Sequence, residues 1–329
     1  MMTVWTVHSS IFSFDMVKLF VKSLVYIFLI LLALELLVRV FHLYPEDSPR
    51  YIDNHGVEKR VPHFRGYSVT GNRRQNFSEY RINNQGFNSY REFTPSHSKN
   101  ELALIGDSFI QGFHQNYYNS IGKKIENRTD EIEVYEYGYA GWDLADQLHL
   151  IHAYSDDFEK IDKIIIYVKY PMDFQRPDYV PNINRIRTLN STTFKIRDNI
   201  KLLYYASQIG ILDPVKNIII AQQDTKNNTN QSKKADQATN RELDNIYIEN
   251  FEKLLKKYPL DKTKTSLLLD KRHTSPTFIS YCEENGIDII DFGFRFEQSK
   301  RPVTLIYDKH WSNHGRSLVA QSIVSHLKL

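Results

Sequence analysis

From Ser23 to Val38 the chain reads SLVYIFLILLALELLV, apolar on every helical face, with Glu35 as its one charge. With Val21 and the Val40–Phe41 end, the run reaches the ~20 residues a helix needs to cross hydrocarbon. Hydrophobicity on all faces and a terminal position favour a retained single-span anchor, about 21–41, over a buried core helix. No small-x-small cleavage pattern follows the run, as a signal peptide would require. Glu35 and Arg39 stand at i and i+4, which predicts a pair near the membrane interface, and Arg39 can also snorkel toward headgroups. Lys18 and Lys22 precede the span while Glu46 and Asp47 follow it. That asymmetry predicts a single-pass protein of the cell membrane with its large domain extracytoplasmic. Met16 opens a more typical anchor than Met1, so residues 1–15 read as an upstream extension.

Beyond the span the pattern changes twice. Residues 45–94 are rich in turns and charge, and YRINNQGFNSYREF (80–93) reads as a short strand, a Gly86 turn and a lead into the next strand. From residue 101 short apolar runs alternate with helical periodicity. ELALIG (101–106), EIEVYEYG (131–138), KIIIYVKY (163–170), KTSLLLD (264–270) and IDIIDF (287–292) read as strands. The continuous isoleucines of the third run suit a sheet buried on both faces. Leu144, Leu148 and Ile151 mark a helix over 142–155, and further helices are expected at 243–258, 276–284 and 313–327. This order predicts an α/β fold, a three-layer α/β/α sandwich on a mostly parallel, flavodoxin-like sheet behind one transmembrane helix. The predicted organisation is an N-terminal anchor segment (1–44), a juxtamembrane basic region (45–94) and one domain (95–329). The stretch 222–242 has no aliphatic side chain beyond two alanines and reads as a polar insert in that domain.

Composition sharpens this only locally. The 329 residues carry a net charge of +3, which gives no reason to expect a nucleic-acid partner. Between Tyr51 and Asn100, however, eight Lys/Arg face four Asp/Glu, a solvated stretch or a surface for anionic headgroups or an acidic polymer. The single cysteine, Cys282, excludes an intrachain disulfide and an all-cysteine metal site. It falls within a predicted helix, as a core residue. No metal-ligand spacing, P-loop or dinucleotide fingerprint is present, so neither a metal nor a cofactor is expected.

Two segments carry candidate chemistry. The strand 101–105 runs into Gly106-Asp107-Ser108, and ligands of open parallel sheets gather beyond the carboxyl ends of strands. A serine there is either a nucleophile or a turn residue. At the other end, Asp308 and His310 stand two apart at the entry to the last helix. An acid so placed can orient an imidazole toward a serine or merely cap the helix. Asp107 reads as a structural residue of the turn, and His114 and His314 as surface or helix-start residues.

Taken together, ALIGDSFIQG (103–112), VYEYGYAGWDLADQ (134–147) and DKHWSNHG (308–315) resemble the SGNH/GDSL hydrolase superfamily. The Asp-x-His-Trp form and INNQGF (82–87) behind a single span resemble its membrane-anchored members, in particular the alginate O-acetylation branch. The resemblance covers about residues 80–329 and implies a catalytic Ser108, His310 and Asp308, with an oxyanion hole from the amides of Ser108 and Gly141. It departs in IIIYVKYPMDF (164–174), where Met172 takes the place of the family's asparagine donor. A thioether cannot donate. Gln111, Lys169, Gln175 and Asn84 are the polar candidates nearby in sequence. Trp142 and Trp311 adjoin the site blocks and are candidates for stacking a sugar, or else core residues.

The resemblance implies a serine esterase or O-acyltransferase for acyl, above all acetyl, esters of a cell-surface or exported glycan. Its expected partners are that acylated glycan, the membrane and envelope polysaccharide machinery. Two alternatives stay open. One is a weakened or inactive relative that binds glycan or scaffolds a polysaccharide system, which Met172 motivates. The other is a lipase or thioesterase of the membrane surface.

Overall fold

A computed structural model describes residues 4–71, 74–129, 132–214 and 240–329. Helix α1 (Val4–Val40) carries the apolar run. Its portion Met16–Val40, of mean hydropathy 2.4, is the one helix among the described residues long and apolar enough to cross a membrane. Nearly all of its large apolar side chains are exposed, unlike those of a core helix. Glu35 and Arg39 form the pair their spacing predicts, with Arg39 Nε donating to Glu35 at 2.7 Å.

The basic segment departs from the sequence expectation. It holds four strands, β1 (Arg50–Ile52), β2 (Glu58–Arg60), β3 (Arg65–Thr70) and β4 (Asn76–Arg81), paired as two antiparallel hairpins. A bridge from Ile82 to Asn88 closes the predicted turn at Gly86, whose φ of +89° suits glycine. Several of its cations are turned inward, while Arg65, Arg74 and Lys99 stay exposed. Arg60 is only 2% exposed and donates to Asp47 and the Ser48 carbonyl. Lys59 pairs with Asp53, Arg81 with Glu92 and Arg91 with Glu126. Buried charges need such partners, so part of the local excess of Lys and Arg is interior rather than surface charge. Phe87 and Phe93 complete the packing by joining the core of the main sheet.

That sheet consists of β5 (Asn100–Gly106), β6 (Ile132–Gly138), β7 (Lys163–Tyr167), β8 (Thr265–Leu269) and β9 (Asp288–Asp291). Its order is β6-β5-β7-β8-β9 and every pairing is parallel. This is the predicted flavodoxin-like order. β7 stops short of residue 170 because the Lys169 N–H turns to the Asp173 carboxylate at 2.7 Å rather than to a neighbouring strand.

Alternation of side chains along the strands divides the core in two. Ala103, Ile105, Ile164, Ile166, Leu267 and Leu269 face one layer, while Leu102, Leu104, Ile165, Tyr167 and Leu268 face the other. After α2 (Ser108–Gln111), α3 (Ile121–Glu126) covers the second face with Ile121 and Ile125. Helix α4 (Leu144–Ala153), started by a capping box between Asp143 and Asp146, covers the first with Leu144 and Leu148. The short α5 (Ser155–Phe158) follows. Three helices with no sequence counterpart come next, α6 (Ile183–Leu189), α7 (Thr192–Asn199) and α8 (Lys201–Gln208). Most of the polar insert, 222–239, lies outside the described residues. Helices α9 (Asn240–Lys257) and α10 (Pro276–Glu284) return to the first face. α11 (Gly293–Glu297) and α12 (Asn313–Leu327) complete the second. The three helices expected at 243–258, 276–284 and 313–327 are therefore present. Cys282 is fully buried on α10, and burial pushes its thiol up to about 12, so it remains protonated at neutral pH.

Candidate active site

The serine turn is built from steric necessity. β5 ends at Gly106, where a Cβ would lie 2.4 Å from Ile110 Cγ1. Asp107 then caps α2, its Oδ1 accepting the Phe109 N–H at 2.9 Å, and Ser108 opens the helix. The Tyr139 N–H donates to the Gly106 carbonyl at 3.0 Å, binding the loop after β6 to the end of β5. At Gly138 a Cβ would lie 2.0 Å from the Gln111 backbone nitrogen. Gly138→Ala is therefore expected to push α2 and Ser108 away from the strand ends. A loss of about 2 kcal/mol or more, measured by denaturant unfolding in detergent, should accompany displacement of the serine.

The residues at the other end of the chain reach this turn. His310 Nε2 lies 2.8 Å from Ser108 Oγ. On its far side His310 Nδ1 meets Asp308 Oδ1, which also accepts the His310 backbone N–H at 3.0 Å. The segment is fixed from behind by the Leu305 N–H on the His310 carbonyl at 2.9 Å and by a bridge between Thr304 and Trp311. Burial alone would raise the Asp308 carboxyl. Hydrogen bonds from the His310 ring and backbone, with two imidazoles beside it, outweigh that and hold it down at about 2. Asp308 is thus an anion at any pH where an imidazole titrates.

The second imidazole is His114, which the sequence suggested only as a surface or helix-start residue. It is part-buried, with Nδ1 3.3 Å from Asp308 Oδ2 and its ring stacked on His310 at 3.7 Å. Phe109 packs against His310 as well, at 4.6 Å. Nothing in the spacing from Ser108 to His114 announces this. The left-handed Gly112 (φ +68°) reverses the chain after α2 and sends His114 toward Asp308.

Burial and the adjacent His310 push His114 down to about 4, against the pull of Asp308. Between the ordinary value of 6.5 and about 4, the unfolded chain binds a proton here that the folded chain refuses. Stability should therefore fall as pH drops through that window. His114→Phe, which keeps a ring but cannot titrate, is expected to reduce this loss by on the order of 2 kcal/mol between pH 7 and 4.5. Urea unfolding of both proteins in detergent measures it.

The remaining candidates separate. Gly141 (φ +88°) lies in the loop tied to Gly106, where Arg185 Nη2 holds the neighbouring Ala140 carbonyl at 2.6 Å. Trp142 is not a sugar platform. It is 3% exposed and packs between Phe87 and Tyr139 in the core. Trp311 is buried too, among Phe109, Tyr167 and Phe292, but it forms part of a cavity wall. Met172 is 63% exposed. Of the four polar alternatives, Lys169 contacts the serine turn directly, its Nζ pairing with Asp107 Oδ2. Asn84 instead gives its backbone N–H to Glu92, and the Gln175 carbonyl accepts from Asn250. Gln111 is buried at the end of α2.

A cavity of about 420 Å³ lies next to this site, lined by Phe109, Lys309 and Trp311, the sequence neighbours of Ser108 and His310, and not by Ser108 or His310 themselves. Phe109, Tyr167 and Trp311 contribute aromatic surface to it, and Lys169, Lys309 and the Arg272–Asp270 pair contribute charge. Among the described residues, His114, Asp308 and His310 alone bring three metal-ligand-type atoms within 4.8 Å. A metal there would compete for the nitrogen and oxygen that join His310 to Asp308.

Fold and site together define an α/β protein with a Ser–His–Asp constellation at the carboxyl edge of a parallel sheet. No protein-family model matches the chain, and no curated protein does. Solved structures similar to it include a member of the lipolytic G-D-S-L family from Veillonella parvula, at 13% identity and TM-score 0.34, covering 69% of this chain and 98% of that one. A catalytic mutant of an acetylxylan esterase from Geobacillus stearothermophilus is similar at 12% identity and TM-score 0.32, covering 71% and 96%. A putative SGNH hydrolase from Slackia heliotrinireducens is similar at 12% identity and TM-score 0.30, covering 70% and 100%.

Proposed function

We propose that this chain is a membrane-anchored serine esterase of the SGNH type, acting on short acyl esters of a polar substrate such as an O-acylated glycan. The observation that carries the proposal is the placement of His310 Nε2 at 2.8 Å from Ser108 Oγ, with Asp308 on the opposite ring nitrogen. Each group has the partner its step requires. As Ser108 Oγ attacks the ester carbonyl, its proton passes to His310 Nε2. The imidazolium that forms donates Nδ1–H to Asp308, which stays ionised. Phe109 and His114 stack against the ring and hold it in place. The proton then returns to the departing alcohol oxygen, leaving an acyl-serine. A water molecule activated by His310 releases the acid and restores the serine.

The backbone N–H groups of Ser108 and Gly141 are the proposed donors to the oxyanion. Met172 cannot assist them. Lys169, paired with Asp107, brings a cation to the same turn, where a positive charge would favour an oxyanion. The adjoining cavity combines aromatic walls with Lys169, Asp270, Arg272 and Lys309, groups that can meet a polar ester. The apolar α1 supports anchoring of the region from residue 45 onward at a membrane, in the outward orientation that the flanking charges predict.

The test is a chain-length series with the full chain in detergent micelles or nanodiscs. p-Nitrophenyl acetate is expected to be hydrolysed with higher kcat/KM than the butyrate, and the palmitate least. Preference for palmitate would replace this reading with a membrane-surface lipase. Transfer of acetyl to an added oligosaccharide in place of hydrolysis would make the enzyme an O-acyltransferase on the same residues.

A further inference from the structure

We infer that the corner between α7 and α8 is a second membrane contact, in which Ile196 and Ile200 enter the lipid interface beside the anchor helix. The inference rests on the proposal that α1 spans a bilayer.

Glu35 sets the depth of this corner. A carboxylate inside an apolar span needs donors, and α8 supplies two of them. The Lys201 N–H reaches Glu35 Oε1 at 3.0 Å and the Leu202 N–H reaches Oε2 at 2.6 Å. One turn further along α1, Arg39 Nη2 donates to the Asn199 carbonyl at 2.8 Å. Three consecutive bonds therefore fasten residues 199–202 to Glu35 and Arg39. Glu35 lies five residues before the end of the helix, about 7.5 Å at 1.5 Å per residue. The 25-residue apolar portion is roughly 37 Å long against a hydrocarbon thickness of ~30 Å. With the excess length shared between the two ends, Glu35 falls within about 4 Å of the boundary between hydrocarbon and headgroups, and so does whatever is bonded to it.

The corner presents apolar side chains at that level. Ile196 is 50% exposed and Ile200 46% exposed, and the Ile200 N–H bonds the Ile196 carbonyl at 3.0 Å. Ile196 lies in α7 and Ile200, four residues on, is the extended link to α8. Exposed Lys195 flanks them, placed to reach lipid phosphate. A protein partner is the weaker alternative, because residues 199–202 are bonded directly to Glu35 and Arg39 of the span itself. Two attachments, α1 and this corner, would fix the tilt of the globular part and hold the serine at a constant height above the bilayer.

Depth-dependent quenching tests the inference on the full chain in nanodiscs of phosphatidylethanolamine and phosphatidylglycerol. Cys282→Ala is combined in turn with Leu31→Cys, Ile196→Cys, Ile200→Cys or Glu283→Cys, each labelled with a nitrobenzoxadiazole dye. Glu283 lies on α10 and is exposed. Labels at 31, 196 and 200 should be quenched by 5-doxyl lipid at least twofold more than the label at 283, and the labels at 196 and 200 should resist iodide. Water-like labels at 196 and 200, with a lipid-quenched label at 31, would overturn this inference and leave the anchor standing. A water-like label at 31 would overturn the anchor proposal and this inference together.

Discussion

Ser108→Ala is expected to lose on the order of 10⁴-fold or more in kcat/KM toward p-nitrophenyl acetate with no loss of folding stability. The hydroxyl proposed to form the acyl intermediate would be gone, and only binding and the oxyanion donors would remain. The fold has little reason to respond. Ser108 Oγ bonds His310, while the cap of α2 is the Asp107 carboxylate. Thermal unfolding of the variant should therefore superimpose on that of the parent within a degree or two. Equal activity in the two proteins would remove Ser108 from the reaction.

The second large effect belongs to Asp308→Asn, expected to lower kcat by about 10³–10⁴-fold. An asparagine can fill the same space but cannot stabilise the imidazolium, and its amide can force the wrong tautomer on His310. Because His310 offers Nδ1 to this carboxylate, His310→Ala should be comparably impaired. The double variant Asp308→Asn/His310→Ala should be little worse than either single one, since residues acting as a unit are not additive. A product of the two single effects in that double variant would show that they act independently.

The central sheet was legible in the sequence because parallel strands buried on both faces leave an unmistakable mark. Ile164, Ile165 and Ile166 are apolar in succession because alternate residues serve different cores. The Ser108, Asp308 and His310 blocks were legible through their order along the chain and their resemblance to a known superfamily, since position alone left each of them open. The hairpins of 50–81 were hidden because their buried positions include Glu58, Lys59 and Arg60. Hydrophobic periodicity cannot register residues that are interior as ion pairs. Helices α6–α8 escaped because no residue in them is fully buried, so no apolar face is cut into the sequence. His114 was hidden by distance, since its contact with Asp308 depends on bringing the two ends of the globular region together. Trp142 shows the converse limit. Proximity in sequence to a site glycine does not say which way an indole points.

The most direct measurement is covalent labelling of the full chain with a fluorophosphonate, followed by peptide mass spectrometry. A serine activated by His310 and Asp308 should carry the phosphonyl adduct at Ser108 within minutes at neutral pH. Labelling should be lost in Ser108→Ala and slowed at least a hundredfold in His310→Ala. Absence of an adduct from the folded parent protein, or equal labelling with and without His310, would contradict an activated serine at this site.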